Sequence, residues 1–344
     1  MKNKKKIGVG LLALCVLAGV WVASHWYTKP EKDSIRIGVL LYQKDDTFVD
    51  KIVSGLYERV AYYEEAYGIN IQLSVAEAGD SQRTQNEQVK RYVQLGYDVI
   101  CVNLVDRTSA AEVIDMAMVD GEEIPVVFFN REPVAEDVVR REKVFYVGAD
   151  AKQSAILQGE EIISCFEEYP EVLDKNGDGI LQYVMLEGEM GHQDAIMRSE
   201  YSVQTLTNAG MEVQKLGSAT ADWNRFRASV IMEQWLDSMG NRIELVICNN
   251  DDMGLGAADA LASKGYQAAV FGIDATEVAI EALIDGRLWS TIDCNGEEQG
   301  RAILSLALSA VTGAWDEDGL ELIDEHYIRV PLIARRSNVI GMTK

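Results

Sequence analysis

The chain has 344 residues, 48% of them hydrophobic, with 32 Lys and Arg against 55 Asp and Glu for a formal net charge of −23. That length supports two domains with cores of their own. Six lysines in residues 1–33 outnumber Glu31 and Asp33, which leaves −27 on the remainder; such a body repels nucleic acid and anionic membranes, so neutral or cationic solutes, metal ions and proteins remain as partners.

The N-terminus reads as a targeting element: Lys2 and Lys4 to Lys6, an uncharged apolar run from Ile7 to Ala23, then Ser24 to Tyr27. Export is expected. The run sits at the short limit for spanning a bilayer and ends in an acceptable peptidase site, Val22-Ala23-Ser24, so a cleaved signal and a retained anchor are both open. Lipidation at Cys15 is disfavoured by the bulky Leu14 before it.

Strand patterns follow at Ile35–Leu41, Ile71–Ala76, Val99–Leu104 and Val126–Phe129, with a helical pattern over Val49–Tyr67 carried by apolar residues at 49, 52, 53, 56, 60 and 63. Next comes Asp174-Lys175-Asn176-Gly177-Asp178-Gly179, with oxygen side chains at positions 1, 3 and 5 and glycine at 6, the spacing of a loop wrapped around a hard cation. Position 12 is Met185 where an EF-hand needs a bidentate carboxylate, and the following segment has strand character. The loop is thus half a calcium site in need of a remote carboxylate.

A strand at Leu181–Leu186 leads to a polar turn with His192, Asp194 and Arg198, a helix over Gln193–Ala209, and strands at Leu245–Cys248 and Val270–Ile273. Such alternation implies parallel sheets with helices on both faces, a doubly wound α/β architecture. A weak internal echo, Val99 to Asn103 then Pro125 to Asn130 against Val246 to Asn250 then Ala269 to Asp274, suggests two lobes. It would aim Asn103, Asn250 and Asp274 from strand ends into a common cleft. Taken singly, each is better read as a turn or helix cap, and the repeated strand-end placement is what favours a cleft. Outside the signal the cysteines are 101, 165, 248 and 294; Cys101 and Cys248 lie in apolar runs as small hydrophobes, and no close pair suggests a disulfide or zinc site.

The segments Asp45 to Phe48, Asn103 to Asp106, Pro125 to Pro133, Asp174 to Arg198, Trp223, Asn249 to Asp251 and Phe271 to Asp274 resemble the galactose/glucose-binding proteins of bacterial ABC sugar uptake, over about residues 35 to 335. The metal loop together with G-H-x-D-x-x-x-R is the distinguishing combination. The resemblance implies two doubly wound lobes joined by a three-crossing hinge, the type I periplasmic-binding-protein fold. Residues 34–128 with 296–328 would form one lobe. Residues 129–295 with 329–344 would form the other, carrying the calcium loop 174–182. Crossings are expected near 124–132, 292–296 and 328–331.

It further implies sugar-hydroxyl contacts from Asp46, Asn103, His192, Asp194, Arg198, Asn250 and Asp274, with Phe48 and Trp223 sandwiching the ring. Carboxylates, amides and a forked guanidinium suit hydroxyls, and aromatic faces suit the ring's C–H patches. Without the resemblance, Asp194 and Arg198 would be a surface i,i+4 ion pair. Structural Ca2+ would be held by Asp174, Asn176, Asp178, the Ile180 carbonyl, Gln182 and a bidentate Glu244, which supplies the missing carboxylate. One departure puts Cys294, flanked by Asp293 and Asn295, where the family has an Asn; a thiol is a poor partner for a hydroxyl.

The expected role is capture of a monosaccharide, glucose or galactose, by hinge closure and delivery to an ABC permease, by a monomer attached to the membrane through its N-terminal segment at most. A sensor passing the signal to a chemoreceptor or kinase is the second reading. An enzyme using Asp46, His192 or Asp194 with calcium is the third, and no nucleophile motif supports it.

Overall fold

The computed structural model describes residues 34–313 and 321–337; the expected targeting segment, 1–33, lies outside the described residues. Among the described residues no helix is long and apolar enough to cross a membrane.

The first sheet uses β1 (Ile35–Leu41), β2 (Ile71–Glu77), β3 (Val99–Val102), β4 (Val126–Phe129) and β5 (Val144–Gly148). The second uses β6 (Ile180–Glu187), β7 (Glu212–Thr220), β8 (Leu245–Cys248), β9 (Ala269–Ile273) and β10 (Ser290–Asp293). The chain then adds β11 (Tyr327–Arg329) to the first sheet and β12 (Ile333–Arg336) to the second, giving the orders β11-β5-β4-β3-β1-β2 and β12-β10-β9-β8-β6-β7. All these pairings are parallel except β12 on β10. That exception departs from the all-parallel expectation: β12 follows β11 after a short turn rather than a helical crossover, so it can enter only as an antiparallel edge.

Buried strands explain the apolar runs. In β3, Val99 and Cys101 pack into one core and Ile100 and Val102 into another; in β8, Val246 and Cys248 face one side and Leu245 and Ile247 the other. Both faces of each sheet therefore need helices. These are α1 (Thr47–Tyr67), α2 (Gln82–Gln94), α3 (Ala110–Met116), α4 (Ala151–Glu168), α5 (Gln193–Asn208), α6 (Arg225–Met239), α7 (Asp251–Lys264), α8 (Glu277–Ile284) and α9 (Gly296–Thr312). Cys101, Cys165, Cys248 and Cys294 are all buried and free.

The chain passes between the sheets three times, at 149–150, 294–295 and 330–332. The first crossing corrects the expectation of 124–132 and of a second lobe starting at 129. Val144 to Val147 pair in parallel with Val126 to Phe129, so β5 stays in the first sheet. The polar run Asn130 to Pro133 is a loop of the first lobe rather than a hinge strand. Close helix packing holds α9 to α1: a Cβ on Gly55 would lie 2.1 Å from the Glu297 carbonyl oxygen, and one on Gly300 2.1 Å from that of Ile52.

Candidate functional site

The carboxyl ends of both sheets meet at one cleft cavity of about 370 Å3, open solvent at its mouth included, lined by Tyr42, Asp46 and Phe48 after β1, Asn130 and Arg131 after β4, His192 capping α5 with Asp194 and Arg198 on it, and Trp223, Asn250 and Asp274. Eight of the nine expected binding residues are thus brought together. The ninth, Asn103, stands one layer back. It is fully buried and donates to the Phe129 carbonyl at 3.2 Å and to Asn130 Oδ1 at 3.0 Å, so Asn130 forms that part of the wall.

Several of these side chains sit where they do because they cap helices. Asp46 Oδ1 accepts from the amides of Phe48 and Val49 at 3.0 and 2.9 Å, while Oδ2 accepts the Tyr42 hydroxyl at 2.6 Å. Asn250 Oδ1 accepts from Met253 N at the start of α7, at 3.0 Å. His192 Nδ1 accepts from Asp194 N at 3.1 Å, which places the proton on Nε2 and leaves that nitrogen as a donor. Asp46, His192 and Asn250 thus both cap helices and line the cavity.

Arg198 organises the floor. Its guanidinium donates to the Asn249 carbonyl at 2.8 Å and to Asp194 at 3.2 Å, lies 3.6 Å from Asp274 Oδ1, and stands 6.0 Å from the centre of the Trp223 ring. Burial works against its charge, but Asp194 and Asp274 more than compensate and hold it protonated. Burial pushes the carboxyls of Asp194 and Asp274 up against the pull of Arg198. Burial, and then the guanidinium groups of Arg131, Arg198 and Arg107, drive His192 far below the usual histidine range, so its ring is neutral. Two fully buried polar atoms beside the cavity, Asp274 Oδ1 and Arg198 Nε, have no hydrogen-bond partner.

Sequence reasoning missed Tyr42, Asn130 and Arg131. The Arg131 guanidinium lies 3.7 Å from the Tyr42 ring centre and donates to the Val105 carbonyl at 2.9 Å and to Glu189 at 2.6 Å. Its position in the polar run after β4 was the available signal, hidden by assigning that run to the hinge. Cys294 is fully buried, with Sγ 3.9 Å from Arg198 Nη2, and burial pushes its thiol well up. It supports the floor rather than lining the cavity.

The lobes touch across the cleft: Thr47 Oγ1 donates to Asp252 at 2.9 Å, Lys51 Nζ to the Ala275 carbonyl at 2.9 Å, and Arg131 pairs with Glu189.

At the far end of the second lobe the metal loop is closed by hydrogen bonds. Asp174 accepts from the amides of Asp178 and Gly179, both at 3.0 Å. Glu244, 1% exposed, accepts from Lys175 N at 2.7 Å, Asn176 N at 3.3 Å and Gln182 N at 3.2 Å. The side-chain amides of Asn176 and Gln182 both donate to Asp178 Oδ2, at 3.1 and 3.0 Å. Among the described residues no three His, Cys, Asp or Glu side chains converge as a metal centre by themselves. The donor set nevertheless suits a hard cation: three carboxylates, two amides and the Ile180 carbonyl supply seven oxygens if Glu244 is bidentate, within the usual range for calcium.

The chain matches the family model for the periplasmic binding protein domain over residues 37–314, and it belongs to that family. It is 33% identical over 309 residues to the D-galactose/methyl-galactoside binding periplasmic protein of Haemophilus influenzae, covering 89% of this chain and 91% of that one. A putative rhizopine-binding protein of Rhizobium meliloti is 29% identical over 313 residues, covering 90% and 91%. The solved structure of an ABC transporter solute-binding protein from Bacillus halodurans with bound myo-inositol superposes with a TM-score of 0.74 at 27% identity, covering 91% of this chain and 98% of that one. These relatives are solute-binding proteins rather than enzymes.

Proposed function

We propose that this exported protein captures a hexose, galactose or glucose, in the cavity between its lobes and presents the closed form to an ABC permease. One observation carries the reading: Asp274 Oδ1, whose one close charge is Arg198 at 3.6 Å, and Arg198 Nε are buried without a hydrogen-bond partner beside a cavity walled by Phe48 and Trp223. A hydroxyl accepts from one and donates to the other at once, and the aromatic walls cover the ring's C–H faces. A site left with a bare donor and a bare acceptor discriminates strongly against ligands lacking that hydroxyl. Asp46, His192 Nε2, Asp194 and Asn250 complete the hydrogen-bonding wall. Closure excludes water from these groups and brings Thr47, Lys51 and Arg131 against the second lobe, so sugar binding favours the closed state.

The loop 174–182 holds structural calcium through Asp174, Asn176, Asp178, Ile180, Gln182 and Glu244. The ion would tie the loop to the start of β8 by way of Glu244, and Asn176 and Gln182 would turn their amide oxygens inward to reach it.

Isothermal titration of the exported region with D-galactose, D-glucose, D-ribose and myo-inositol tests the ligand assignment. Tightest binding by either hexose is expected. A preference for ribose or inositol would overturn it.

A further inference from the structure

The cavity shares part of its lining with a larger space at the cleft mouth. Tyr42, Asp46, Arg131, Trp223 and Asn250 line both the 370 Å3 cavity and a vestibule of about 1570 Å3, open mouth included. On the hexose reading the sugar is assigned to the former, and the latter has no assigned role.

The vestibule has its own recognition surface. Phe226, 76% exposed in the first turn of α6, lines it three residues after Trp223 and packs into no core. An aromatic face left in water among Asp222, Asn224, Arg225 and Arg227 has the mixed character of a sugar platform. The wall carrying it is strained: Asp222 and Trp223 hold φ of 50° and 61°, and Asp45 across the opening holds 62°. For a bulky residue such as Trp223 this conformation is a genuine outlier, of the kind that collects at ligand clamps. Gly188 gives the indole room to lie against the chain, because a Cβ there would lie 2.1 Å from it.

From this geometry we propose that the cleft takes a glycoside, with a hexose ring in the buried cavity and the second sugar in the vestibule against Phe226. The assignment rests on the hexose reading above and extends it to a two-ring ligand.

The test is isothermal titration with D-galactose and D-glucose alongside lactose, melibiose and cellobiose, on the wild type and on Phe226→Ala, whose exposed side chain can be removed without touching a core. At least one disaccharide should bind within tenfold of the better free hexose. Phe226→Ala should then weaken that disaccharide by about five- to tenfold and change hexose binding by less than about twofold. The glycoside assignment falls, and the hexose reading stands, if hexose binds while all three disaccharides are more than tenfold weaker. It falls equally if Phe226→Ala weakens hexose and disaccharide alike. Failure of every sugar to bind would overturn both.

Discussion

Asp274→Gly separates what the cleft does for binding from what it costs the fold. Asp274 is a buried carboxyl with one oxygen that has no hydrogen-bond partner and only a 3.6 Å ion-pair contact to Arg198, held at φ 117°, where a side chain is strained. Strain of this kind costs about 1–3 kcal/mol, and glycine relieves it while giving back about 0.4–1 kcal/mol through the freer unfolded chain. Arg198 keeps Asp194 and the Asn249 carbonyl as partners, so its charge is not abandoned. The sugar-free variant should therefore be as stable as the wild type or up to about 2 kcal/mol more stable, a rise of up to roughly 5 °C in Tm. Sugar binding moves the other way: losing a charge-assisted hydrogen bond worth about 1.5–3 kcal/mol weakens Kd by about 10- to 150-fold. Differential scanning calorimetry without sugar and isothermal titration with the best hexose read the two effects. Asp274→Ala, which keeps a Cβ at the strained angle, should lose the same affinity and melt below the glycine variant. Unchanged affinity in either variant, or a sugar-free Tm several degrees below wild type for the glycine variant, would refute the argument.

Asp251 is fully buried, accepts from the Thr291 hydroxyl at 2.7 Å and Thr276 N at 3.0 Å, and is pushed up by burial to about 7. Between about pH 4 and 7 the unfolded carboxyl has lost its proton and the folded one keeps it, so this group's stabilisation falls as pH rises, by up to about 1.4 kcal/mol per unit. Urea melts from pH 5 to 8 should show a shallower decline in Asp251→Asn, and parallel curves would contradict the burial argument. Gly55→Ala drives a methyl group into the backbone of α9, which cannot yield as a side chain would; a loss of about 1–3 kcal/mol is expected in chemical denaturation, and a neutral result would mean the helices part freely. Calcium over EGTA should raise the Tm of the wild type, by a margin that grows with free calcium, and Glu244→Ala should abolish that increment. Absence of any increment in the wild type would remove calcium from the loop.

The sequence by itself determined what is local. Apolar runs and period-3.6 patterns located β1, β4 and β8 end to end and α1 and α5 to within two residues, because burial on both sheet faces demands unbroken apolar runs and amphipathic helices. Asp46, His192 and Asn250 entered through the family resemblance, and Asn250 also carried a cap reading from its place at a strand end. The tertiary structure decided which strand ends share the cleft. It kept β5 in the first sheet, so the run after β4 became a cleft wall with Arg131 in it, and it set Asn130 in front of Asn103. It also turned Cys294 under Arg198 instead of toward the ligand. These outcomes depend on pairings between segments far apart in the chain, such as Val126 with Val144 and Ser290 with Arg336, and no periodicity within a single segment encodes its partner.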